Sequence, residues 1–141
     1  MKFIIRKLNR KNLINNFLKI IKITKIGNWG FKHFYANLPS KWEKSILAID
    51  PNKKDLIGYA IVSKKKQSTH IHLLMINEKY KRHKIGTEIL NIIYSETDKN
   101  LTVKTYTYLR NTIMFYKRNS FKVINSNIKT TSMIRRKITN I

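Results

Sequence analysis

The chain has no cysteine among its 141 residues. That excludes disulfides, cysteine-ligated metal and a thiol nucleophile, and makes a reducing, cytoplasmic compartment the default expectation. No stretch approaches the ~20 apolar residues of a membrane span, so no membrane partner is expected. The start, Met1-Lys2-Phe3-Ile4-Ile5-Arg6, meets charge too early for a secretory signal. No internal repeat and no interdomain linker is visible. Acidic side chains are scarce, with 7 Asp+Glu against 30 Lys+Arg and a formal charge of +23. A+T-rich codon usage would account for abundant Lys, Asn and Ile but not for scarce Glu. Two readings of the charge stand side by side. One is attraction to anionic partners such as nucleic acid, ribosomes or acidic proteins. The other is a generally basic surface.

What is present suits one globular domain over residues 1–141, as a monomer or homodimer. Apolar residues make up 42%, and a chain this long can bury roughly two thirds of its unfolded surface.

Residues 69–76, THIHLLMI, read as a strand buried on at least one face. From Ile85 the period changes, with Ile85, Ile89, Ile92 and Ile93 on one helical face. Between them lies Lys81-Arg82-His83-Lys84-Ile85-Gly86. A helix start offers unpaired N–H groups and partial positive charge, so this junction suits an anion, above all a phosphate. Gly86 has no Cβ to hold an anion off the backbone. The plain alternative is a basic solvated turn.

Around this junction, Lys2–Lys7 reads as a first strand. Asn9 caps a helix whose apolar face is Leu13, Ile14, Phe17, Leu18 and Ile21. Gly27 closes the following connection. Phe31, Phe34, Tyr35 and Leu38 have helical spacing up to Pro39. Ser45–Asp50 and Leu56–Ser63 are strands joined by the turn 51–55, with Tyr59 and Ile61 facing one way and Ala60 and Val62 the other. Lys64-Lys65-Lys66-Gln67-Ser68 closes a hairpin. Leu101–Tyr108 is a strand, Asn111 starts and caps a helix, and 123–138 supplies two strands around Asn125-Ser126-Asn127.

The junction resembles the acetyl-CoA-binding motif of the GNAT superfamily of N-acetyltransferases. Ile76 matches the strand-end residue, Tyr80 the common aromatic, Lys81 the Arg/Gln position and Gly86 the last Gly. Lys84 stands where the family has its first Gly, and fits only if its φ stays negative. Phe115-Tyr116-Lys117-Arg118-Asn119-Ser120-Phe121 resembles the second signature, Phe-Tyr-x-x-x-Gly-Phe. Ser120 there replaces a Gly and is expected to be strained at positive φ. The signatures lie about 30 residues apart in the family's order. The resemblance implies an α+β fold, with a mixed, mostly antiparallel sheet of about six to seven strands and about four flanking helices. It places the cofactor at a splay between the two central strands.

The implied activity is direct transfer of an acetyl group from acetyl-CoA to a primary amine, with no covalent enzyme intermediate and no metal. The acceptor is a small amine, a protein amine or an RNA-linked amine. The alternative is a non-catalytic basic module of the same fold. Backbone at Leu74, Met75 and Ile76 would hold the pantetheine arm. Lys81, Arg82, His83, Lys84, Ile85, Gly86 and Thr87 would hold the pyrophosphate. Asn111 is either a CoA contact or only a cap. Tyr116 matches the family's general acid, and a phenol of pKa ~10 carries its proton at neutral pH. The other reading has it packed beneath the cofactor helix. His72 sits where some members carry a catalytic Glu, and is either the base or a partly buried strand residue. His70 shares its face. Trp29, Phe31 and Trp42 either shape an acceptor pocket or belong to the core.

Overall fold

The computed structural model describes residues 2–25 and 28–137, which form one seven-stranded sheet with helices on both faces. In chain order the elements are β1 (Ile4–Lys7), α1 (Arg10–Ile23), α2 (Phe31–Tyr35), α3 (Lys41–Lys44), β2 (Ile46–Ile49), β3 (Leu56–Lys64) and β4 (Ser68–Ile76). A 3₁₀ turn, Glu78–Tyr80, leads into α4 (Ile85–Glu96), β5 (Asn100–Tyr106), α5 (Arg110–Arg118), β6 (Lys122–Ser126) and β7 (Thr130–Arg135). The strand order is β1-β2-β3-β4-β5-β7-β6. Only β4 and β5 run parallel. The α4 crossover accounts for this, because a parallel neighbour cannot be reached by a hairpin. Gly27 and Ile138 lie outside the described residues.

Alternation along β3 divides the core. Ala60 and Val62 face α4 and α5, with Ile85, Ile89, Leu90, Tyr116 and Phe121. Tyr59 and Ile61 face α1 and α2, with Leu13, Ile20 and Phe34. Strand β3 is buried along almost its whole length, as a central strand should be.

Several boundaries differ from expectation. Asn9 caps α1 as anticipated, in a reciprocal box with Asn12. The buried stripe of α1, however, is Leu13, Ile20 and Ile23, with Phe17 packed alongside. Ile14, Leu18 and Ile21 are 53%, 83% and 38% exposed. The helix carries two neighbouring apolar stripes, and packing on β3 selects one. Helix α3 was not expected, and α2 ends at Tyr35 before reaching Leu38. The β6–β7 turn falls at 127–129, where the Asn127 side chain accepts from the N–H groups of Lys129 and Thr130. Asn111 is no cap. Leu109 holds that position without a side-chain bond, and Asn111 is an exposed residue inside α5.

Lys41 is fully buried. Its Nζ donates to the carbonyls of Phe34 and Ala36 at the end of α2. It also lies 4.6 Å from the Trp42 ring centroid. Burial, reinforced by Arg10, lowers its pKa to about 8.

Candidate active site

The central strands separate partway along. β4 pairs with β5 only from Ser68–Ile71 against Asn100–Val103, yet β4 continues to Ile76 and β5 to Tyr106. A β-bulge accompanies the separation. Ile61 opposes Leu73 but Val62 opposes Ile71, so His72 is the extra residue. Such a bulge bends the strand and re-aims its side chains. The gap is a cleft of about 300 Å³, lined among others by Trp29, His72, Leu74, Met75, Lys104, Tyr106, Thr112 and Tyr116. Within the splay, β4 keeps β3 as a partner on one side only. Its groups on the other side have no strand partner. Leu74 and Met75 line the cleft, whereas Ile76 packs into the core beside α4.

At the end of β4 the loop leaves a run of backbone amides free. The N–H groups of residues 82–87 have no acceptor among the described residues, and the first helical bond of α4 is Glu88 N–H to the Lys84 carbonyl. Arg82 and Lys84 adopt φ of 73° and 58°. Left-handed residues within such a turn direct successive amides towards one point. Lys84 therefore departs from the expected negative φ, since this turn needs the left-handed conformation a glycine would take freely. Replacing Lys84 with Gly should stabilise the fold by about 1 kcal/mol, the approximate cost of that conformation for an L-residue. Thermal melting checks this, and an unchanged or lower Tm would count against strain in the loop.

The side chains of Lys81, Arg82, His83 and Lys84 are exposed around these amides, while Ile85 and Gly86 are buried and Thr87 half-buried. Lys81 is engaged by Glu78 at 2.9 Å. Gly86 has a task that the sequence reading did not assign. A Cβ there would meet Phe115 Cζ at 3.0 Å, so the glycine lets α4 pack against α5.

Helix α5 presents Thr112 and Tyr116, one turn apart, to the cleft. The Tyr116 ring lies 5.2 Å from Phe115 and 5.1 Å from Phe121, in edge contacts. Burial pushes its hydroxyl pKa upward, so the group keeps its proton. That hydroxyl makes no hydrogen bond to another described side chain or carbonyl. Ser120 takes φ 71°, as its place in the motif led one to expect.

His72 lies in the cleft wall with Nε2 2.6 Å from Ser63 Oγ. His70 stands beside it, 5.0 Å between ring centroids, with Nδ1 2.8 Å from Thr102 Oγ1. Burial foremost, then nearby Lys65, lowers both pKa values to about 4; His72 also feels Lys41, and His70 feels His72 and Lys104. His72 is thus a neutral hydrogen-bonding group and a weak base. The pair also makes stability depend on pH. Both rings are neutral in the folded state at pH 5–7, while the unfolded chain takes up protons below about 6.5. Stability should fall as pH drops from 6.5 towards 4. A His70→Gln/His72→Gln variant should show a smaller fall in Tm between pH 7 and pH 5, and an equal fall would exonerate the pair.

Among the described residues no cluster of three or more His, Asp or Glu could hold a metal. Trp29 reaches the cleft and lies 6.0 Å from the His72 ring. Phe31 and Trp42 do not; they pack with Tyr35 and Arg10. Asn111 does not line the cleft either. Its neighbour Thr112 does, and the i, i+4 relation to Tyr116 was the available signal. Lys104 and Tyr106 were also missed, because nothing local shows that a strand borders a gap.

A family profile described as an acetyltransferase (GNAT) domain matches residues 28–134. A search of curated proteins finds no match. Solved structures share the architecture at low identity. Ard1 from Thermoplasma volcanium aligns with TM-score 0.78 and 18% identity, covering 99% of this chain and 100% of that one. The ribosomal-protein-S18-alanine N-acetyltransferase from Escherichia coli aligns with TM-score 0.78 and 13% identity, covering 96% and 94%. Arabidopsis thaliana Naa50, solved with the bisubstrate analogue CoA-Ac-MVNAL, aligns with TM-score 0.76 and 18% identity, covering 98% and 100%. A profile spanning most of the chain, a splayed parallel pair and a nest of free amides at the start of α4 lead to one conclusion: the chain belongs to the GNAT acetyltransferase family.

Proposed function

We propose that the protein is an N-acetyltransferase that transfers an acetyl group from acetyl-CoA to a primary amine. The observation that carries this reading is the continuity of one site. The unpaired edge of β4 and Tyr116 border the same gap, and the free amides of 82–87 follow one short turn after the end of β4. The residues suit the cosubstrate: the nest fits a pyrophosphate, and unpaired strand groups fit the amides of a pantetheine arm. Bound acetyl-CoA supplies the activated thioester. The backbone at Leu74 and Met75 holds and polarises the acyl end. Tyr116 Oη, protonated before the reaction, gives its proton to the sulfur as the C–S bond breaks and regains one from the acylated nitrogen by way of solvent. His72, held by Ser63, accepts a hydrogen bond from the incoming amine or from a water, without taking up its proton permanently.

The chain contributes no thiol, so released CoA can be read with a thiol reagent without protein background. Acetyl-CoA at ~100 times its Kd should stabilise the protein by about 2.7 kcal/mol. A melting curve unmoved by saturating acetyl-CoA would overturn the proposal.

A further inference from the structure

The sheet face that holds α1 and α2 is covered only as far as β4. The cluster beneath those helices draws on Leu47, Tyr59, Ile61 and Leu73, with Met75 alongside, and on nothing from β5, β7 or β6. On the same face, the start of β4 carries Ser68 and His70, both bonded to Thr102 of β5, which by alternation also presents Lys104 and Tyr106 there. Lys104 and Tyr106 line the cleft directly. Tyr106 stacks on Tyr108, which is 72% exposed.

The charge of this face has one sign. Lys104 is on it, and Lys65 is near enough to act on both His70 and His72. No Asp or Glu lines the cleft. Four of the seven acidic side chains are engaged elsewhere: Glu96 by Lys7, Glu78 by Lys25 and Lys81, and Asp50 and Asp55 by the Tyr80 hydroxyl. A polycationic acceptor would meet repulsion with nothing to offset it.

We propose, building on the acetyltransferase reading, that the acceptor is an amine on an anionic body, namely the amino terminus of an acidic peptide, laid over the uncovered His70–Thr102–Lys104–Tyr106 face. The carboxylates of the peptide supply the countercharge that the cleft lacks. The same cationic field disfavours the ammonium form of the bound amine, by like-charge repulsion. An α-amine is already the most easily deprotonated aliphatic amine of a protein. A site without a strong base can therefore receive it as a free amine. The weak basicity of His72 and the shortage of carboxylates become two consequences of one design.

The test is CoA release with short peptides of equal length and a common first residue. The next three positions carry Glu, Gln or Lys. The expected order of kcat/KM is Glu above Gln above Lys, with at least ~tenfold between the extremes at low salt, within the range of electrostatic steering. The spread should shrink at 0.5 M salt, where the screening length is only a few ångströms. Lys104→Glu should narrow or reverse the order while acetyl-CoA still raises the Tm. Equal turnover of all three peptides would overturn the charge proposal and leave the acetyltransferase reading intact. So would faster acetylation of an aminoacyl-tRNA, which would move the anionic acceptor to RNA. Binding of acetyl-CoA with no peptide acetylated would overturn the peptide acceptor alone. Absence of acetyl-CoA binding would overturn both.

Discussion

Tyr116→Phe is expected to lower kcat at least ~100-fold, the lower end of what a positioned acid contributes, and to leave acetyl-CoA affinity within about twofold. The structure makes this variant clean. The ring is held by Phe115 and Phe121, and phenylalanine preserves those contacts. The hydroxyl has no hydrogen-bond partner among the described residues, so its removal strands no other buried group. A tyrosine kept only for packing would tolerate the change without kinetic effect. A loss in kcat and kcat/KM together, with binding retained, is the mark of an interaction made in the transition state. Burial raises the phenol's pKa, so activity should show no alkaline limb from Tyr116 below pH 10. Steady-state kinetics on the best peptide acceptor, with titration calorimetry for acetyl-CoA, decides the matter. Wild-type turnover in the variant would return Tyr116 to the core.

Lys41→Met is expected to cost about 3 kcal/mol of stability, because two carbonyls, one buried and one partly buried, lose a charged donor at once. In a domain of this length that is roughly a 10 °C fall in Tm. The carbonyls are those of Phe34 and Ala36, where α2 ends. Phe34 packs edge-on against Trp29, 5.1 Å between centroids, and Trp29 walls the cleft. Loosening α2 should therefore raise KM for the acceptor more than it affects acetyl-CoA binding, since the nest at 82–87 lies at the far end of β4. Arginine at the same place is no remedy, because a planar guanidinium does not fit a pocket shaped for a point charge. A Met variant as stable as wild type would show that the buried ammonium contributes nothing.

The strands and the helix around the central motif were legible because their signals are local. Period-two alternation in β3 separates Tyr59 and Ile61 from Ala60 and Val62, and both halves of that assignment stand. The switch to helical period at Ile85 marks the start of α4 to the residue. The free amides of the loop between them could be anticipated because they follow from backbone geometry at a helix start. The face of α1 could not be chosen in this way. Leu13 and Ile14 each begin a plausible apolar stripe, and only the position of β3 decides which is buried. Asn111 misled for a related reason. Asparagine favours helix caps, but Leu109 holds the cap and the helix begins two residues earlier than a cap at Asn111 would have it.

From the sequence by itself came the family resemblance, the order of the strands along the chain, the strand–loop–helix junction and the candidacy of Tyr116, each carried by residues close together. The tertiary structure decided what depends on distant residues meeting. It placed the bulge at His72, where β3 and β4 fall out of step. It opened the gap beyond Ile71 and Val103, and brought Lys104, Tyr106 and Thr112 to its walls. It gave Gly86 a packing task against Phe115. It lowered the basicity of His72 by burying it among lysines contributed by other segments. Local periodicity and capping are written in neighbouring residues, whereas a cleft, its field and a shifted pKa are sums over groups far apart in the chain.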